Sequence, residues 1–181
     1  GMYRPDEGKI FLNGKEISIS TPTAAINHGI GMIHQHFKLV EVLSARENIL
    51  LGQKGELALS PEAAMKSLGM NLALDRPVYT LSVSEKQTVE ILKVLCRGAD
   101  KLILDEPTAV LTPQEAKGLF DTMKMLKERG HTIIFISHKL MEVMEICDRC
   151  TVLRRGQKIA TTNLSEVENT QQLATMMVGH S

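Results

Sequence analysis

At 181 residues and 43% apolar composition, the chain can bury one substantial core, and its length favours one domain over several. Its 21 Lys and Arg balance 21 Asp and Glu, so no bulk charge draws it toward nucleic acid or anionic lipid. No apolar run approaches the roughly 20 residues that span a bilayer, and three cysteines, an odd number, do not make a disulfide framework. A soluble chain in a reducing, cytoplasmic setting is the expectation. The opening Gly1-Met2-Tyr3-Arg4-Pro5 lacks a charged-then-apolar leader, and the natural start is expected to lie upstream.

In chain order, Lys9–Leu12, the Asn13-Gly14 pair and Lys15–Ile19 read as two short strands about a tight turn, because Asn-Gly tolerates the positive φ such turns require. Gly31–His34 reads as another short strand. From about Ser44 to Gly98 helical patterns dominate, broken at Gly52–Gly55, Ser60-Pro61, Gly69 and Pro77, which predicts a helical insert over 44–98. Leu102–Leu104 and Thr132–Ile136 are apolar β-type runs separated by an amphipathic stretch from about Pro113 to Arg129. Strand, helix and strand of this kind predict an α/β fold whose parallel sheet has helices on both faces. A helix over Lys139–Ile146 then leads to Thr151–Leu153, an Arg155-Gly156 turn and Lys158–Ala160.

Four places carry candidate chemistry. Lys101–Leu104 ends in Asp105-Glu106-Pro107, so an apolar strand delivers two consecutive carboxylates at the sheet edge where open α/β folds bind ligands. There an aspartate can hold Mg²⁺ and a glutamate can orient a water for attack on a γ-phosphate. Leu81-Ser82-Val83-Ser84-Glu85 opens a long helix whose unpaired N–H groups attract phosphate, although Ser82 and Glu85 also have capping-box spacing. The Ile133–Ile136 run ends in Ser137-His138, which brings an imidazole to a strand end where it can contact a γ-phosphate. Gln35 follows the Gly31–His34 strand and precedes the helical insert, so its amide oxygen could reach a metal or water. Taken singly, each is as well explained by a strand exit, a helix cap or a solvated loop.

Taken together, Gln35, the Ser82 segment, Asp105-Glu106 and His138 occur in one order along the chain, and the chain resembles the ATP-binding cassette family over nearly its whole length. The resemblance implies a P-loop-NTPase-like fold, with 1–181 a single incomplete cassette domain. It makes Gln35 the Q-loop residue and a metal contact, and Ser82, Val83, Ser84 and Glu85 the signature motif. Asp105 becomes the Walker B aspartate and metal ligand, Glu106 the catalytic base, and His138 the switch histidine. Gln35-His36-Phe37, Thr108–Glu115 and the closing Met176–Gly179 resemble the first cassette of double-cassette importers of nucleosides and simple sugars. That implies ATP and Mg²⁺ as cofactors and, as partners, transmembrane permease subunits, a second cassette and, indirectly, an extracytoplasmic solute-binding protein. The expected position is peripheral, on the cytoplasmic face of the membrane, with no nucleic-acid partner.

The sequence also departs from the family pattern. Val83 and Ser84 stand where the commonest signature has two glycines, which let backbone N–H groups approach phosphate closely. Thr112 closes the D-loop where many relatives carry aspartate. No Gly-x-x-x-x-Gly-Lys-Ser/Thr occurs, and Gly1–Gly8 resembles the segment just after the P-loop helix, so the given chain is expected to be inactive alone. A degenerate regulatory cassette and a soluble cassette ATPase acting on ribosomes or DNA are the rival readings. Cys147-x-x-Cys150 spans a helix exit and a strand start without a second ligand pair, and is expected to pack as small buried side chains.

Overall fold

The structure, a computed structural model, describes residues 1–179, and the chain divides into two compact units, Gly1–Ile134 and a smaller one beginning at Phe135.

The first unit opens with the anticipated hairpin: β1 (Ile10–Leu12) pairs antiparallel with β2 (Lys15–Ile17), and Asn13 and Gly14 both take positive φ in the turn. A short helix not anticipated from the sequence follows, α1 (Pro22–Asn27). Its signals were Thr21-Pro22: the Thr21 hydroxyl accepts from the Ala24 N–H, and proline is preset for a first helical turn. β3 (Ile30–Ile33) then enters the sheet.

Three helices form between residues 44 and 98, separated at the expected breaks. α2 (Ala45–Leu50) is capped reciprocally by Ser44 and Glu47. α3 (Pro61–Leu68) starts on Ser60 and ends at Gly69, whose left-handed φ of 59° releases the chain. α4 (Val83–Cys96) is the longest of the three, and its buried side presents Val89, Leu92 and Cys96 to Ala45, Ile49, Ala64 and Val78.

β4 (Lys101–Asp105) pairs parallel to β3, with Ile30 opposite Lys101 and Ile33 opposite Leu104. Between β3 and α4 there is no room for a side chain. A Cβ on Gly31 would sit 2.7 Å from the Val94 Cβ and 2.9 Å from the Ala99 Cβ, closer than carbon atoms pack. α5 (Pro113–Glu128) begins on a complete Thr112–Glu115 capping box and buries Ala116, Leu119, Phe120, Met123 and Leu126. β5 (Thr132–Ile136) completes the sheet order β3-β4-β5, its Thr132 N–H donating to the Asp100 carbonyl. The expected α/β fold with a parallel sheet is therefore present. Along β5, burial alternates instead of running unbroken: Ile134 is 52% and Ile136 44% exposed, so these residues do not behave as a doubly covered strand.

In the second unit, α6 (Leu140–Ile146) precedes an antiparallel pair, β6 (Arg149–Arg154) and β7 (Gln157–Asn163), joined through Arg155 and Gly156 at positive φ. A further helix that the sequence reading did not foresee, α7 (Thr170–Val178), is capped by Asn169. Val143, Leu164, Val167 and Leu173 form the core, with Cys147 and Cys150 half-buried against it. The cysteines do pack as small side chains, but less deeply than expected, and desolvation pushes the Cys150 thiol above the usual range.

Candidate functional site

Because β3 and β4 run parallel with Ile33 opposite Leu104, the residues two beyond each, Gln35 and Glu106, leave the sheet on the same edge. Asp105 is the last residue of β4 and half-buried. Glu106 follows with φ of 46°, a left-handed conformation that costs a residue with a Cβ roughly 1–2 kcal/mol. The surroundings hold it there. Pro107 is buried, the Thr108 side chain is fully buried, the Ala109 N–H donates to the Glu106 carbonyl at 3.2 Å, and the Leu111 N–H donates to the Thr108 carbonyl at 3.3 Å. The result is a tight turn that keeps the Glu106 carboxylate half-buried, where an extended exit would have sent the chain elsewhere. Gln35 is exposed.

The Asp105 carboxylate and the Gln35 amide offer hard oxygen donors, the type Mg²⁺ prefers. Among the described residues no three His, Cys, Asp or Glu side chains cluster into a protein-only metal cage. Two oxygen donors at a sheet edge suit a Mg²⁺ ion that keeps waters and phosphate oxygens as its other ligands.

At the start of α4 the capping box is complete. The Ser82 hydroxyl accepts from the Glu85 N–H at 3.2 Å and a Glu85 carboxylate oxygen accepts from the Ser82 N–H at 2.7 Å. Glu85 also meets Arg76 at 3.5 Å. The cap thus consumes the N–H groups of Ser82 and Glu85, while those of Val83 and Ser84, in the first helical turn, have no intrahelical acceptor. These are the two positions at which an anion would be met. The Ser84 hydroxyl lies 3.2 Å from that of Ser82. At the start of α5 the Glu115 carboxyl is held below the usual carboxylate range chiefly by the Thr112 backbone and next by the Thr112 hydroxyl.

His138 belongs to the second unit and is exposed, in the short connection between β5 and α6, where the Lys139 N–H donates to the Ser137 hydroxyl at 3.0 Å.

The ABC transporter family model matches residues 1–109, more than half of the chain. The chain belongs to the ABC transporter family. The nucleoside import ATP-binding protein NupA of Lactococcus lactis subsp. cremoris is 46% identical over 191 residues, covering 100% of this chain and 37% of its own length. The glucose import ATP-binding protein TsgD13 of Haloferax volcanii is 40% identical, covering 99% of this chain and 39% of itself. This ABC chain therefore spans well under half the length of the curated relatives it matches. Among solved structures, a nucleotide-free ATP-binding cassette from an ABC transporter superposes with a TM-score of 0.78 at 25% identity, covering 90% of this chain and 72% of that one. CbiO1 of Clostridium perfringens, part of the ABC transporter complex cbiONQ, gives 0.78 at 28%, covering 96% and 72%.

The ABC fold also contains functional groups that the sequence reading passed over. Asn48, on α2, is completely buried and clasps the main chain of the loop after Gln35: its side-chain oxygen accepts from the Val40 N–H at 2.7 Å, and its nitrogen donates to the carbonyls of Val40 and Ser44, both at 3.0 Å. From the opposite side, α4 reaches the same loop with Lys86, Glu90 and Lys93. The only sequence signal was the spacing of those three residues along one helical face, which a solvated charged face would share.

Proposed function

We propose that this chain supplies part of the ATP-handling machinery of an importer for a nucleoside or simple sugar, working at the cytoplasmic face of the membrane as a peripheral subunit. The observation that carries the reading is the turn at the end of β4, which places Asp105 and Glu106 on the sheet edge shared with Gln35 and keeps Glu106 in a left-handed conformation. In this reading Asp105, with the Gln35 amide oxygen, holds Mg²⁺, whose charge when bound offsets that of the phosphates. Glu106 orients a water and takes its proton as that water attacks the γ-phosphate. The free N–H groups of Val83 and Ser84 face the phosphates of a nucleotide held by a second cassette, and His138 contacts the γ-phosphate. Ser82 and Glu85 hold that helix start in shape. In the same reading the 181 residues form a single incomplete cassette domain, with about 44–98 as its helical part. The relatives' names, import ATP-binding proteins for a nucleoside and for glucose, support the cargo class; permease subunits, a second cassette and, through them, an extracytoplasmic solute-binding protein complete the proposal as partners. Among the described residues no helix is long and apolar enough to cross a membrane, in keeping with a borrowed attachment.

The chain contains no P-loop, the cradle of N–H groups with a lysine that grips the β and γ phosphates. Without it, Asp105 and Glu106 present negative charge to a polyanion. Calorimetric titration tests the reading: the 181-residue chain is expected to bind Mg-ATP only at millimolar levels or weaker. The same chain joined behind the P-loop segment of the Lactococcus lactis relative is expected to bind it at micromolar levels. Micromolar binding by the short chain would place the phosphate site elsewhere and defeat the reading.

A degenerate cassette that binds a partner without turning over ATP is favoured by one observation, a Ser84 side chain whose hydroxyl lies 3.2 Å from that of Ser82 at a position where glycine is commonest. Turnover by the P-loop-bearing form would exclude it.

A further inference from the structure

Lys86, Glu90 and Lys93 are spaced four and three residues apart, so they line one face of α4. That face grips a loop. Glu90 is only 3% exposed, and its Oε1 accepts the backbone N–H of Lys38 at 2.9 Å. The Lys93 ammonium donates to the carbonyl of the same residue at 3.5 Å, and Lys86 donates to both carboxylate oxygens of Glu41 at 2.9 and 3.0 Å. Asn48 closes the grip from α2 through Val40.

A carboxylate this deeply buried is a poor choice for stability alone. Removing a charge from water is expensive, and an apolar side chain of similar volume often stabilises the same site better. Lys93 beside it is half-buried: desolvation pushes its ammonium below the usual lysine range, while the Glu90 charge opposes that shift. What Glu90 offers that leucine cannot is an acceptor aimed at one main-chain N–H.

We propose that Glu90 is a positioning residue which, with Lys93, locks residues 38–41 onto α4, so that the loop beyond Gln35 and the helix start at Ser82–Ser84 move as one body. His34–Phe37, which contribute no hydrogen bond to this grip, form the joint with β3. A push on the loop is thereby delivered to the phosphate-facing N–H groups of α4, and a pull on those groups returns to Gln35. The inference rests on the proposed function only in assigning both ends to one nucleotide cycle; the mechanical lock is a property of the chain itself.

Two measurements test it. On the 181-residue chain, Glu90→Ala is expected to raise hydrogen exchange of the Lys38 amide at least tenfold while the amides of Ile91–Leu95 stay within threefold. Glu90→Gln, which keeps the acceptor oxygen, should stay near wild type. Unchanged exchange at Lys38 would overturn the lock. Should Glu90→Ala fail to fold, Glu90→Gln and Lys93→Met carry the same test, the latter expected to raise exchange at Lys38 and Leu39 by a smaller factor. In the full-length protein assembled with its membrane partner, Glu90→Ala should leave unstimulated ATP turnover within twofold and abolish at least four-fifths of its stimulation by transported solute, with Glu90→Gln restoring most of it. Stimulation equal to wild type in Glu90→Ala would overturn the coupling role. Absence of turnover in the wild-type assembly would instead defeat the proposed function, and the exchange result would still decide the lock.

Discussion

The exit of β4 and the start of α4 are the two short stretches to which the proposed function assigns a phosphate, and they are built in opposite ways. At α4 the helix start is held by a reciprocal cap, with Ser82 and Glu85 satisfying each other's N–H groups and those of Val83 and Ser84 left open. At β4 the chain is bent against its preference, with Glu106 in the left-handed region and Pro107 and Thr108 buried to keep it there. Relaxed geometry suits a surface that has to receive a ligand repeatedly without changing shape. A strained residue makes sense where one carboxylate has to stand in one place, because the strain is stored only if its surroundings over-determine it.

The largest expected effect breaks the strained side. In the P-loop-bearing form, Glu106→Gln should lower ATP hydrolysis by about 10²–10⁴-fold while nucleotide affinity, measured by calorimetry, remains within a few fold. The amide preserves shape and cannot take a proton. Hydrolysis close to wild type would move the base elsewhere.

Asn48→Ala attacks the frame that supports the relaxed side. It leaves the Val40 N–H without its acceptor, while the Val40 and Ser44 carbonyls keep the backbone N–H groups of Leu43 and residue 48, and is expected to lower stability by about 2 kcal/mol, within the range for one unsatisfied buried donor. Urea denaturation followed by circular dichroism measures it, and a change under 1 kcal/mol would mean that water replaces the side chain.

Ser84→Gly sharpens the comparison more gently. It removes the contact between the Ser84 and Ser82 hydroxyls and puts glycine in a first helical turn, at a cost of roughly 0.5–1 kcal/mol, hence a melting temperature lower by about 1–4 °C. The fold should persist, and ATP-dependent pairing of cassettes should be preserved or increased, because glycine eases approach to phosphate. A large loss of pairing would show that the hydroxyl itself is a ligand.

Acid should produce the smallest effect. Glu47 and Glu115 are held below the usual carboxylate range, chiefly by the backbone N–H groups of Ser44 and Thr112. A depressed folded-state pKa stabilises above the unfolded value, about 4.3 for glutamate, and the contribution is lost as pH falls through the folded value. Thermal stability should therefore be flat from pH 7 to about 5 with respect to these groups and decline below about 4.3. The double variant Glu47→Gln, Glu115→Gln should decline less steeply.

How much of this was legible depended on whether the signal was local. The apolar run ending in Asp105-Glu106, the Asn13-Gly14 turn, the Ser82–Glu85 spacing and the breaks at Ser60-Pro61 and Gly69 all appear within a few residues of sequence, and each has its counterpart in the fold. α1 and α7 were missed because helices of six and nine residues are too short for periodicity to declare itself. The torsion of Glu106 was invisible because nothing in a non-glycine residue announces positive φ. The Glu90 grip could not be read because it depends on which loop lies against α4, a fact of tertiary packing. The alternating exposure of Ile134 and Ile136 was missed for the same reason, since an apolar run shows what could be buried and not what covers it.

The contact at Gly31 has a consequence for descent. With the Cβ atoms of Val94 and Ala99 pressed against the space a side chain would need, position 31 cannot change by itself. Every residue except glycine carries a Cβ, so shortening residue 94 to alanine leaves the nearest contact in place, and a lineage that acquires alanine at 31 has to move α4 away from β3. Related sequences should therefore keep glycine at 31 whatever the size of residue 94, and show alanine there only where α4 stands farther from β3.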